Sequence, residues 1–241
     1  MSALRILVAD DHPVCRFGVC SLLGSHEGWE ICGPVADGRD AVEKCRQLRP
    51  DLLILDICMP KLNGMDAARQ ILKNRPAQKI LVLTDVRSEQ VVRDCLDAGV
   101  RGWVFKVDGT DDLVAAVEAL QRNRSSFSSR VSDLIMDCYL KRQRAGPAAA
   151  QAPRLSPRER EVVQLVAEGK TSKEVAVMLN VAVKTVDTHR SNLLVKLRLH
   201  SIAELVLYAV RNEIVHVQLP AVVRTSNPRS AAPTMPLSAI N

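Results

Sequence analysis

The chain has no apolar run approaching the ~20 residues that a bilayer-spanning helix needs. Its first residues, Met1-Ser2-Ala3-Leu4-Arg5, enter a strand pattern without a signal-peptide h-region, so a cytoplasmic location with no membrane attachment is expected. Cys-x-x-Cys spacing is also missing. The seven cysteines, Cys15, Cys20, Cys32, Cys45, Cys58, Cys95 and Cys138, are odd in number and confined to the first 138 residues. This argues against a disulfide framework or a zinc site and for small buried hydrophobes in a reducing compartment. Nothing in the pattern suggests a substrate pocket or a dedicated general acid, which weighs against an enzyme.

What is present is a chain of 241 residues, 47% hydrophobic and 25% charged, enough for one or two domains with proper cores. The net charge of +6 is unevenly placed: residues 1–124 hold 17 Lys+Arg against 18 Asp+Glu, and residues 125–241 hold 16 against 9. A neutral front half and a rear half near +7 point to nucleic acid as the partner of the rear.

In the front half, compact apolar runs alternate with segments of helical spacing. Strands are expected at 4–9, 29–35, 51–55, 79–84 and 102–106, and helices at 13–23, 38–48, 65–72, 89–98 and 111–122. This alternation specifies an α/β doubly wound domain with a five-stranded parallel sheet. Functional groups of such sheets collect at the carboxyl ends of the strands. There the sequence places Asp10 and Asp11, Asp56, Thr84 and Lys106. A lone Asp56 would read as a helix cap, but three carboxylates, a hydroxyl and an ammonium on one sheet edge form a site. Clustered carboxylates repel one another unless a cation joins them, and oxygen ligands on rigid strand ends favour Mg²⁺, with Asp11 and Asp56 as direct ligands. A carboxylate can also take a phosphoryl group if the charge on the transferred oxygens is neutralised, here by Mg²⁺ and Lys106, with Thr84 donating to a phosphoryl oxygen.

After Arg122 the composition turns polar, an amphipathic helix is expected at 131–140, and residues 141–154 read as a flexible linker. Four helices follow, at 157–167, 171–179, 183–197 and 202–212. Ser156-Pro157-x-Glu159 is a capping box with proline at the first helical position, Thr171 and Glu174 repeat the box, and the segments 171–179 and 183–197 form a helix-turn-helix. In the third helix Thr185, Thr188, Ser191, Asn192 and Val195 form a mostly polar stripe bordered by Lys184, Arg190 and Lys196, suited to base edges and phosphates respectively. Val186, His189, Leu193, Leu194 and Leu197 supply the core side.

The front half resembles the receiver domain of bacterial response regulators, which has a flavodoxin-like fold, in Asp10-Asp11, in Asp56-x-x-Met59-Pro60 with Gly64, in Thr84 and in Lys106. The rear half resembles the LuxR-type DNA-binding domain, in Leu155-Ser156-x-Arg158-Glu159-x-Glu161-Val162, Lys173-Glu174-Val175-Ala176 and Lys184-Thr185-Val186-x-Thr188-His189-Arg190-Ser191-Asn192. The fused architecture is that of the NarL/FixJ family. The resemblance implies phosphorylation of Asp56 by a sensor histidine kinase and a Mg²⁺ site formed by Asp10, Asp11, Asp56 and the backbone carbonyl of Cys58. It makes Trp103 a switch aromatic alongside Thr84. It places Asp187, Thr188 and Ser191 toward bases, Lys184, Thr185 and Arg190 toward phosphates, and makes helix four the surface of a homodimer on promoter DNA, with RNA polymerase as a further contact. Asp85 after Thr84, Val107 after Lys106, Ala182 at a helix cap and Asp187 at the groove depart from the usual pattern.

The expected division is 1–124 receiver, 125–154 connector helix and linker, 155–216 DNA-binding domain and 217–241 disordered tail. The function expected is a transcription regulator switched at Asp56, with the unphosphorylated receiver covering helix three or helix four. Rivals are a phosphatase-like enzyme and a constitutive DNA-binding protein with an idle or redox-modulated receiver. For the redox variant Cys58 is the candidate thiol, and carboxylate neighbours would raise its pKa and blunt its reactivity.

Overall fold

The computed structural model describes residues 3–145 and 155–215. The expected disordered tail, and residues 146–154 of the linker, lie outside the described residues.

Strands β1 (Leu4–Ala9), β2 (Trp29–Val35), β3 (Leu52–Leu55), β4 (Lys79–Thr84) and β5 (Gly102–Phe105) alternate with helices α1 (Pro13–Gly24), α2 (Gly38–Leu48), α3 (Gly64–Asn74), α4 (Glu89–Ala98) and α5 (Thr110–Gln121). All the strand pairs are parallel, in the order β2-β1-β3-β4-β5 and then a sixth strand. The central strands read as unbroken apolar runs because both faces are covered. Leu7, Leu53, Leu55 and Val82 pack with α2, α3 and α4 on one face, while Ile6, Ile54, Leu81 and Val104 pack with α1 and α5 on the other.

The sheet has six strands, not five. β6 (Ser126–Phe127) pairs with Gly102 and Trp103 of β5, and α6 (Ser129–Ala145) follows it directly. Asn-Arg-Ser-Ser-Phe-Ser-Ser carries no alternating pattern, so two residues of strand are invisible in the sequence. They form because the edge of β5 offers free backbone groups: Ser126 N–H donates to the Arg101 carbonyl at 2.9 Å and Ser128 N–H to that of Trp103 at 3.1 Å. α6 then buries Val131 completely in the core that contains Trp103, with Leu134 and Ile135 beside it. The connector helix thus docks on the front domain and begins two residues earlier than its apolar spacing indicates.

The rear half folds as α7 (Pro157–Ala167), α8 (Ser172–Leu179), α9 (Val183–Leu197) and α10 (Ile202–Arg211) around Val162, Leu165, Val175, Val186, Leu193 and Leu205. Both capping boxes form, at Ser156 with Glu159 and at Thr171 with Glu174. Asn180 takes the left-handed conformation at the turn between α8 and α9. Ala182 stands at the start of α9 in N-cap backbone geometry with no side-chain hydrogen bond. Ala182→Ser should therefore supply the missing acceptor and stabilise the rear domain by about 1 kcal/mol, read from its urea midpoint.

Gly64 opens α3 directly beneath the end of β3. A Cβ there would collide with the backbone carbonyl of Asp56. Gly64→Ala should force the 56–64 loop to shift and cost about 1–3 kcal/mol in chemical denaturation; an unchanged midpoint would mean that the loop yields freely.

Candidate functional site: a buried acidic pocket and an exposed helix

The strand order brings the polar strand ends side by side. Backbone pairing runs one residue past the strands: Asp56 N–H donates to the Ala9 carbonyl at 2.9 Å, Asp10 N–H to that of Val35 at 3.1 Å and Lys106 N–H to that of Thr84 at 3.0 Å. Asp10, Asp56 and Thr84 are almost fully buried. Lys106 Nζ lies 2.7 Å from Asp56 Oδ2, as a hydrogen bond, and 2.9 Å from Asp10 Oδ2, as an ion pair without hydrogen-bond alignment. Asp56 Oδ1 accepts from the amides of Ile57 at 2.6 Å and Cys58 at 3.4 Å.

Asp11 stands half-exposed at the rim, 2.9 Å from His12 Nδ1. Oxygens of Asp10, Asp11 and Asp56 and a ring nitrogen of His12 lie within 4.8 Å of one another. Three carboxylates against one ammonium leave about two negative charges in a small volume, and such an oxygen-rich set fits a hard divalent cation. Sequence reasoning passed over His12, although it adjoins the acidic pair in the same loop.

Burial raises the Asp56 pKa, and Lys106 only partly offsets it. Burial also works against the Lys106 ammonium, but attraction to Asp56 and Asp10 wins and its pKa is raised. Cys58 is pushed up to about 12, by burial first and by Asp56 next, so its thiol is protonated and unreactive at neutral pH.

Trp103 is completely buried, edge-on to Phe105 with ring centroids 6.5 Å apart, and lies under β6 and α6. Asp85 is exposed at the end of β4, and Val107 is exposed after Lys106.

On α9, Thr185, Thr188, Ser191 and Asn192 are exposed along one face, with Lys184 beside them. Val186 and Leu193 are buried on the opposite side, and His189 is half-buried. Three stripe neighbours have partners within the domain. The Asp187 carboxylate accepts from Ser172 Oγ at 2.7 Å, Arg190 donates to the same hydroxyl at 2.6 Å, and Lys196 donates to Glu159 at 2.6 Å.

The expectation that the front domain covers the third or fourth rear helix does not match this arrangement. The stripe on α9 faces solvent and Leu207 of α10 is 53% exposed. The domains meet instead through α7. Its outer face carries Arg160 and Gln164, with Glu168 at its C-cap, and their groups match the polar groups of the β3–α3 loop and of Asp66 and Asp94. The sequence signal was a glutamine inside Val162-Val163-Gln164-Leu165-Val166, a run buried throughout because the helix is covered on two sides.

Residues 6–118 match the family model described as "Response regulator receiver domain", and residues 153–209 match that of "Bacterial regulatory proteins, luxR family". Response regulator protein VraR of Staphylococcus aureus is 32% identical over 212 residues, covering 88% of this chain and 99% of the relative. This chain is a response regulator of the NarL/FixJ family. A structure of RcsB from Salmonella typhimurium aligns with 29% identity and a TM-score of 0.54 over 88% of this chain and all of that one. Another, of RcsB from Salmonella enterica serovar Typhimurium bound to promoter P1flhDC with the phosphomimetic BeF3−, aligns at 30% identity and a TM-score of 0.54 over 86% of this chain and 98% of that one. The NarL/FixJ relatives are DNA-binding regulators, and this chain is a two-component transcription regulator, not an enzyme. None of its described helices is long and apolar enough to cross a membrane.

The raised pKa of Asp56 has a stability consequence. Because its folded pKa lies above the unfolded value near 3.9, the buried carboxylate costs stability above the folded pKa, and that cost disappears as pH falls below the unfolded one. Asp56→Asn should be more stable than the wild type at pH 7, with the difference shrinking as the pH drops into the carboxylate range. Urea melts across that range test it, and a wild type that is the more stable at neutral pH would contradict the sign.

Proposed function

We propose that Asp56 accepts a phosphoryl group from a sensor histidine kinase and thereby controls promoter binding by the rear domain. The observation that carries this reading is the nearly buried Asp56 carboxylate, held by Lys106 beside Asp10 and Asp11, in a chain whose other half is a luxR-type domain. Asp10, Asp11, Asp56 and the Cys58 backbone carbonyl would hold Mg²⁺, which when bound neutralises charge on the transferring oxygens. An Asp56 carboxylate oxygen attacks phosphorus as the P–N bond to the kinase histidine breaks, and the bonding electrons return to the imidazole. The product is an acyl phosphate. Lys106 ion-pairs with the phosphoryl group, Thr84 donates its hydroxyl proton to a phosphoryl oxygen, and hydrolysis by water returns the carboxylate and inorganic phosphate.

In this reading residues 1–124 act as receiver, 125–154 connect, and 155–216 bind double-stranded promoter DNA as a homodimer formed through α10. Thr188, Ser191 and Asn192 face base edges. Lys184 and Thr185 contact phosphates, Asp187 lies toward the bases, and Arg190 and Lys196 reach DNA after leaving their partners in the domain. Trp103 follows Thr84 as the switch aromatic. The protein works in the cytoplasm, with RNA polymerase as a further contact.

Incubation with acetyl phosphate and Mg²⁺ should add the mass of one phosphoryl group to the wild type and none to Asp56→Asn. Lys106→Ala should slow the transfer by about a hundredfold, the usual loss of one electrostatic contact to a transition state. Phosphorylation of Asp56→Asn at the wild-type rate would remove Asp56 from its role.

A further inference from the structure

Ser172 opens α8, directly after the Thr171 N-cap, and its hydroxyl lies between two side chains of α9. It donates to Asp187 Oδ1 at 2.7 Å and accepts from Arg190 Nη1 at 2.6 Å. A hydroxyl has one proton, and a guanidinium can only donate, so the serine proton must point toward the carboxylate. Asp187 and Arg190 stand three residues apart on one face of α9, and the serine joins them across the helix-turn-helix.

The bond to Oδ1 leaves the second carboxylate oxygen over. Among the described residues no donor reaches Asp187 Oδ2, and Asp187 is exposed at the border of the polar stripe, one turn before Ser191. The neighbouring Thr188 spends its proton on the Lys184 carbonyl of its own helix at 2.9 Å. This part of the stripe therefore offers a base edge two acceptors, Asp187 Oδ2 and Thr188 Oγ1. Base edges in the major groove differ in how they meet an acceptor. Cytosine shows the N4 amino group, adenine sets its N6 amino group beside the N7 acceptor, and guanine N7 and O6 and thymine O4 repel a carboxylate.

We propose that Ser172 is a positioning residue that aims the open oxygen of Asp187 at a base edge, and that Asp187 thereby makes cytosine the required base at one position of each half-site. The inference rests on the promoter-binding reading above and names part of the sequence that the promoter must carry. Alignment matters because an exposed carboxylate beside a polyanion turns away from the phosphates unless it is held. Tying Oδ1 to the serine removes the rotamers in which the group would be lost to solvent, so that less ordering remains to be done on binding. Arg190 can leave for a phosphate without breaking the bond from Ser172 to Asp187, and its nearby charge offsets the repulsion between Asp187 and the DNA backbone.

The test selects by gel shift from a pool of duplexes with a randomised region, using full-length protein treated with beryllofluoride and Mg²⁺. Wild type, Asp187→Asn, Ser172→Ala and Ser172→Thr are compared, and a thermal melt of each reports whether its rear domain folds. Asp187→Asn is an isosteric change at an exposed residue, so it tests the base preference even if Ser172→Ala loosens α8. The wild type should enrich duplexes with cytosine at one position of the half-site by about fivefold or more over any other base, the low end for one good side-chain pair with a base. Asparagine pairs with adenine N6 and N7, so Asp187→Asn should move the preference at that position alone from cytosine to adenine. Ser172→Ala should flatten the preference there while the rest of the motif persists, and Ser172→Thr, which keeps a hydroxyl, should retain cytosine. A serine with only a structural role would lower affinity for every duplex alike when removed and leave that base unchanged. The same motif from Asp187→Asn as from the wild type would overturn the proposal and leave promoter binding standing. The same motif from Ser172→Ala would overturn the positioning role, and enrichment of no sequence by any of the proteins would overturn the promoter-binding reading as well.

Discussion

The ammonium of Lys106, held between the carboxylates of Asp56 and Asp10 at the buried end of a parallel sheet, is the interaction on which the rest depends. Without it two nearly buried carboxylates would face each other across neighbouring strands, and the cost of desolvating them would go uncompensated. With it the pocket is still short of positive charge: burial raises the Asp56 pKa despite the lysine, and Asp11 adds a further carboxylate at the rim. An oxygen-rich site in that condition fits a hard divalent cation. The apolar strands around it, from Ile6 to Val82, contribute rigidity, so that charges brought to the strand ends cannot relax away from one another.

The loop after Asp56 carries this electrostatic condition toward the rear domain. Its first amides belong to the carboxylate, and its Met59 carbonyl and Asn63 amide belong to Gln164, with Gly64 allowing the close return of the chain under Asp56. The Met59 carbonyl that Gln164 holds lies only three residues past Asp56, so a short stretch of loop links the acidic pocket to the helix that anchors the DNA-binding domain. The NarL/FixJ architecture needs no long chain of intermediates here, because one loop touches both partners. At the β5 edge of the sheet, β6 and α6 close over Trp103 and tie the connector into the core that also holds Ile57 and Met59, so the chain leaves the receiver from a fixed place.

Much of this was legible in the residues. The apolar runs of the central strands and the polar residue ending each one indicated the parallel sheet and the cluster of Asp10, Asp56 and Lys106 at its edge, since a parallel sheet aligns its carboxyl ends by construction. Capping boxes at Ser156 and Thr171 marked helix starts that the structure keeps. What escaped notice depends on tertiary contact. β6 is two residues long and exists only because the β5 edge is there to receive it. Asp187 and Lys196, read as facing DNA, are paired with Ser172 and Glu159, partners that only folding brings near. Gln164 lies in a run of buried residues in which a polar side chain should have no place, and that anomaly is intelligible only once the Met59 carbonyl and the Asn63 amide are seen opposite it.

The central claim is that a change of charge at Asp56 reaches the rear domain through the loop it shares with α7. Hydrogen exchange of the full-length protein, with and without beryllofluoride and Mg²⁺, tests it most directly. The account predicts altered exchange in the loop 57–64 together with faster exchange in peptides covering Arg160 to Glu168. A loop that responds while α7 keeps its protection unchanged would contradict it.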